Sequence, residues 1–175
     1  MTINRTQTPA VKPLEKISFV HPKTFDITPQ TKLYWMSEIA DNTVRIELHF
    51  DAGIIRTERK TASFTNLLLL SGTTEKTSTQ IHNELDSLGA YTDCEVGIEK
   101  AVVSIYCLEE NVKKVVKIVV DAIQNAAFHP GEVEDAVREG KQNFLVSGEK
   151  VNVLARREFQ RQFFINDERY AQASS

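Results

Sequence analysis

Val44, Ile46, Leu48 and Phe50 alternate with Arg45, Glu47, His49 and Asp51. A period of two, with apolar and polar residues on opposite sides, predicts a strand over 43–52 with one buried and one polar face. Gly53 ends it. A short β-prone run, Leu33-Tyr34-Trp35-Met36, comes before, and Asp41-Asn42 between them reads as a hairpin turn. Strands over 33–40 and 43–52 are therefore expected to lie side by side, antiparallel. Upstream, Pro22 and Pro29 bracket a stretch read as irregular.

From Thr61 the period changes. Residues 61–70 are apolar nearly all round, which predicts a buried helix closed by Gly72. Thr77-Ser78-Thr79-Gln80 fits a capping box, with Thr77 as N-cap and Gln80 reaching back. The helix it opens carries Ile81, Leu85 and Leu88 on one face and stops at Gly89, the usual C′ residue. Two further strands, 91–96 and 100–108, turn around Gly97. Both faces of the second are largely apolar, so it is expected to be central and covered on both sides.

Over 109–127, Val112, Val115, Val116, Val119, Val120 and Ile123 recur at helical spacing with lysines opposite. That periodicity outweighs the modest helix propensity of valine. His129-Pro130 breaks the chain, and Pro130 is placed to open a helix over about 131–147 with Val133, Val137 and Phe144 inward. A last amphipathic stretch, 150–165, carries Leu154, Phe159, Phe163 and Phe164. Its aromatics are read as intramolecular packing ahead of an interface. The order β-β-α-α-β-β-α-α-α predicts an α+β domain, a mainly antiparallel β-sheet packed against a layer of α-helices.

Composition adds limits. At 175 residues the chain has room for about one domain. With 41% hydrophobic and 26% charged residues it is not a disordered, collagenous or coiled-coil chain. The expected organisation is a flexible lead-in over 1–24, an α+β domain over 25–170 and a polar tail or truncation point at 171–175. With 21 basic and 24 acidic residues in no block, nothing suggests a nucleic-acid partner. No run approaches 18 apolar residues, so no membrane span is expected. The polar N-terminus lacks a secretory apolar core, which favours the cytoplasm for this chain, or the periplasm if a leader was removed. Cys94 and Cys107 have neither zinc-site nor disulfide-scaffold spacing. They read as buried thiols, with a cross-strand disulfide as the alternative.

Four histidines could carry chemistry. His82 and Asp86 stand four apart on one helix, either two metal ligands or a solvated pair on the exposed face. His49, flanked at i±2 by Glu47 and Asp51, belongs to a cluster that could titrate or bind a cation, or to an ordinary solvated sheet face. His21 and His129 read as surface residues. There is no GxSxG, P-loop or GxGxxG.

A strand ending in Ala52-Gly53, a buried helix closed by Gly72-Thr73, the 77–90 helix ending in Gly89-Ala90, a hairpin, a Val-rich helix and Phe128 before another helix follow one another. In that order they resemble the N-terminal portion of a pitrilysin/insulinase-type zinc peptidase domain, the group that includes the mitochondrial processing peptidases. The resemblance covers about residues 25–170 and implies one α/β unit of a peptidase half. It also implies an inverted zinc motif, H-x-x-E-H, on the helix before Gly-Thr. Here the first histidine position falls on Ser63, the glutamate on Asn66 and the second histidine on Leu67. The third ligand, a glutamate about eighty residues after the first histidine, falls near Gln142, Asn143 and Phe144. Glu139 and Glu149 are the nearest carboxylates.

Zinc hydrolysis needs imidazole or carboxylate ligands and a base for the bound water. Ser63, Asn66 and Leu67 supply neither, so no metal, no cofactor and no catalysis are expected. The resemblance then implies a non-catalytic half or subunit that helps to enclose and bind a peptide substrate, with a catalytically active homologous zinc peptidase as partner. An interaction module unrelated to proteolysis, or an enzyme using the His49 face, are the alternatives.

Overall fold

The computed structural model describes residues 19–37, 41–57 and 60–171. It divides into two compact units, residues 1–41 and 42–175. Most of the expected lead-in and nearly all of the 171–175 tail lie outside the described residues.

The first unit is an antiparallel ribbon of β1 (Lys23–Thr28) and β2 (Thr31–Trp35). The stretch expected to be irregular is thus a strand. Its own alternation, Phe25 and Ile27 against Thr24 and Asp26, is the signal for it, and Pro29 serves the two-residue turn with its fixed φ. Phe25 lies opposite Leu33, and Lys23 opposite Trp35, so the three apolar side chains share one exposed face.

The second unit holds a three-stranded antiparallel sheet in the order β3-β5-β4: β3 is Thr43–Phe50, β4 Tyr91–Val96 and β5 Ala101–Leu108. The strand expected over 33–40 is the shorter β2, and positions 38–40 of it lie outside the described residues. β2 pairs with β1, and β3 runs beside β5 from Thr43↔Leu108 to Phe50↔Ala101. β5 offers β3 an eight-residue partner with a continuous apolar face. β5 is central, as expected. Its Val103, Ile105 and Cys107 are buried, and on the other face Ser104 is buried while Val102 and Tyr106 are half-covered.

The helices are α1 (Thr61–Leu68), α2 (Ser78–Ser87), α3 (Val112–Gln124), α4 (Pro130–Gly148), α5 (Val151–Phe163) and α6 (Glu168–Ala171). α2 has the expected capping box: the Thr77 hydroxyl accepts from the Gln80 N–H, and the Gln80 side chain accepts from the Thr77 N–H at 2.9 Å. Gly89 takes the left-handed conformation that ends it. α3 is shorter than expected because Glu109–Asn111 form a tighter 3₁₀ turn first. Its stripe, Val115, Val119 and Ala122, joins Ile81 and Leu85 of α2 and the inner face of β5 in one core. Ile46 and Leu48 pack on that core; Phe50, expected inward at the strand's end, is exposed.

Two expectations about aromatics fail. Phe144 of α4 is exposed, and Phe159 and Phe163 of α5 are 67% and 68% exposed. No residue of α5 is buried. The amphipathic pattern is real, but α5 touches only α4 and α6 appreciably, so its aromatics stack on one another instead, Phe159 on Phe163 and Phe163 edge-on to Phe164.

Candidate functional site

α1 carries the three positions at which the sequence resemblance expects chemistry. Its sequence, TASFTNLL, has good length but no imidazole and no carboxylate. Ser63 and Leu67 stand four apart on one helix side and Asn66 three beyond Ser63, the spacing that brings two ligands and a base together. Ser63 is half-buried and Asn66 is buried at 6% exposure, whereas Leu67 is 64% exposed. The helix expected to be buried all round thus has an exposed side among the described residues. The helix also ends earlier than expected, at Leu68, and Leu70 rather than Leu67 reaches the core.

The loop after α1 is tied down strongly. Thr73 is 3% exposed; its N–H donates to the Lys76 carbonyl at 2.8 Å, and its hydroxyl oxygen accepts from the N–H groups of Glu75 and Lys76. Its carbonyl accepts from His129 Nε2 at 3.3 Å, which binds this loop to the start of α4. His129 is thus a structural donor beyond the surface role expected of it.

α4 packs against α1, with Gly140 beside Phe64. The region expected to hold the third ligand therefore lies on the helix that touches α1. Gln142, Asn143 and Phe144 are all exposed there, as are Glu139 and Glu149. A hydroxyl, a carboxamide and an alkyl chain do not make a zinc donor set, so these residues do not fit the metal that the resemblance implies. Among the described residues no three His, Cys, Asp or Glu side chains are grouped so as to hold a metal ion.

The other candidates resolve separately. Glu47 receives His49 Nε2 at 3.0 Å and the Arg45 guanidinium, and the His49 hydrogen bond, with help from Arg45, holds its carboxyl below the usual range despite some desolvation. Asp51 lies past the end of β3 and does not join them. Arg45 sits over the Tyr106 ring at 5.2 Å, and Tyr106 meets Tyr91 at 5.9 Å, so the polar sheet face is a row of ordinary cross-strand contacts. His82 turns Nδ1 to the Ser78 carbonyl at 2.8 Å rather than to Asp86. His21 is exposed. Both cysteines are free thiols: Cys94 lies opposite Val103, and Cys107 opposite Val44. The Thr73 knot is the feature that reading the sequence missed. Its only local signal is a threonine placed to cap the two following N–H groups.

Comparison with known proteins gives the family and the fold. A family described as Insulinase (Peptidase family M16) matches residues 35–162. An uncharacterized zinc protease of Rickettsia bellii is 36% identical over 76 residues, 43% of this chain and 18% of that protein; one of Rickettsia felis is 33% identical over the same extent. A peptidase M16 inactive domain from Pseudomonas fluorescens superposes with a TM-score of 0.80 at 17% identity, over 89% of this chain and 38% of the other. A protease of Helicobacter pylori superposes with a TM-score of 0.59 at 11% identity, over 69% and 31%. The chain thus spans well under half the length of each of these relatives. No helix among the described residues is long and apolar enough to cross a membrane. Since the family match runs through both strand-rich and helical parts and covers more than half of the sequence, this chain belongs to the insulinase family, peptidase family M16.

Proposed function

We propose that residues 25–170 form a non-catalytic M16 unit, acting as the inactive half or subunit of a peptidase complex. In this reading it helps to enclose and bind a peptide beside a catalytically intact homologue. The observation that carries the reading is α1 itself. The helix contacts α4 and carries no histidine or carboxylate, and counting back from Gly72-Thr73 sets Ser63, Asn66 and Leu67 at the positions where the motif would have two imidazoles and a carboxylate. Neutral Asn66 cannot accept a proton from water, and Leu67 cannot coordinate. The likeness to a protein described as an inactive domain agrees with this. A second wall gives a use without chemistry, because a peptide held from two sides is oriented at the partner's metal and one held from one side is not.

The test mixes the purified chain with an intact H-x-x-E-H homologue from the same genome and measures peptide turnover against the homologue alone. Expected are a complex on gel filtration at micromolar concentration, raised turnover in the mixture, and no stoichiometric zinc in this chain by elemental analysis. Equal turnover with no complex would remove the subunit role. Close to one tightly held zinc per chain, or chelator-sensitive proteolysis by the chain alone, would remove the non-catalytic one. Ser63→His, Asn66→Glu and Leu67→His together should not restore hydrolysis, since no carboxylate stands at 142–144.

A further inference from the structure

The last helix returns to the sheet. Tyr170 Oη of α6 donates to the Glu99 carboxylate at 2.5 Å, 71 positions away in the turn between β4 and β5. Each partner is held from its own side. The Tyr170 carbonyl accepts from Gln160 Nε2 at 2.9 Å, and its ring lies 5.3 Å from that of Phe164. The Glu99 carbonyl accepts the Gly53 N–H at 3.1 Å, while Gly97 and Ile98 accept from the N–H groups of Ile54 and Ile55 at 3.0 and 3.1 Å. The turn thus carries the 3₁₀ segment Ile54–Arg56, and that segment contacts α1. α1 contacts α4, α4 contacts α5, and α5 contacts α6. This circuit of elements closes on itself at Tyr170–Glu99.

Between its ends α5 is held within this chain by α4, where the Arg157 guanidinium stands 4.9 Å over the Phe144 ring, and it buries no residue of its own in the core. Elements with few buried contacts open at lower free energy than the core they lie on. We propose that α5 and α6 form a strap and that Tyr170–Glu99 is its catch. With the catch closed, the strap braces the β4–β5 turn and, through it, the 54–56 segment beside α1. With the catch broken, α5 and α6 open together as one unit and that brace is lost, while β5 and α3 stay folded. The chemistry suits a catch. A phenol donating to a carboxylate makes a charge-assisted bond, and water satisfies both groups when they part. The device is independent of the inactive-subunit reading, since it acts whether or not a peptide is held beside α1.

The test is hydrogen exchange of the full chain read by mass spectrometry, with circular dichroism as the check on folding. In the unchanged chain the amides of 151–171 should exchange together and ahead of those in β5 and α3. Tyr170→Phe keeps the ring against Phe164 and removes only the donor; Glu99→Ala removes the acceptor. Each should speed exchange over 151–171 about tenfold, and speed it also at 53–56, with β5 and α3 unchanged. The double variant should be no faster than either single one, because the same bond is lost once. Unaltered exchange over 151–171 in both single variants, equal acceleration in β5 and α3, or a double variant faster by the product of the two single effects would each overturn the proposal.

Discussion

Gly140 of α4 lies against the ring tip of Phe64 of α1: a Cβ at position 140 would stand 2.9 Å from Cζ and 3.1 Å from Cε1. Two effects oppose each other at this residue. Alanine in the middle of α4 gains about 1 kcal/mol of helix propensity over glycine. The ring must give by a few tenths of an ångström, which a half-buried side chain can do. Gly140→Ala should therefore leave stability within about 1 kcal/mol of the original, while Gly140→Leu should force the helices apart at about 1–3 kcal/mol. Urea unfolding of both variants is the check; equal midpoints for alanine and leucine would mean that α1 and α4 do not touch here.

Gly53 has no such latitude. Its N–H donates to the Glu99 carbonyl at 3.1 Å, and a Cβ would fall on the backbone of Ile98 to Lys100, which has no rotamer to change. Gly53→Ala should cost about 2–3 kcal/mol. Thermal melting at matched concentration would read this, and an unchanged midpoint would contradict the approach of the two loops.

Adjacent valines on α3 should respond unequally. Val115 is fully buried in the shared core, whereas Val116 is only half-covered. Val115→Ala should destabilise by about 1.5–3 kcal/mol and Val116→Ala by roughly half of that or less. A reversed order in denaturant titrations would put the core on the wrong side of the helix.

The thiols should be slow. Burial, with Asp93 nearby, pushes the Cys94 thiol from an ordinary 9.0 up to about 11, and burial raises Cys107 as well. At pH 8 a group with its midpoint near 11 is thiolate in about one molecule per thousand, against about one in ten for the unfolded chain. Reaction of Cys94 with a thiolate-selective reagent should thus be about a hundredfold slower folded than in strong denaturant, and should speed up as pH rises toward 11. Folded and denatured chains reacting at the same rate would contradict the burial.

Local signals were readable in the sequence and distant ones were not. The alternation of 44–51, the Thr77–Gln80 box and Gly89 are each decided by a few neighbouring residues, and each forms as read. The pairing of β3 with β5 joins residues more than fifty positions apart, which no local pattern of residues reports. β1 was missed because Pro22 and Pro29 masked six alternating residues between them. On α1, the positions at which the resemblance expects ligands and base are counted from Gly72-Thr73. Which of them the fold covers is not legible there: the burial of Asn66 and the exposure of Leu67 depend on β4 and α4. The α5 aromatics show the same limit, since periodicity marks an apolar face without saying whether anything lies against it.

The pairing of β3 with β5 also sets an order of assembly. β4 and β5 are joined by a short turn around Gly97, and α3 follows β5 almost at once, so these close small loops and can form early. β3 must wait until the whole span through α1, α2 and β4 has been gathered, and it meets its partner across a large sequence separation. By loop length alone, the core of α2, α3 and β5 is expected to form ahead of the docking of β3. Substitutions in α3 should then slow refolding, while those in β3 should mainly speed unfolding.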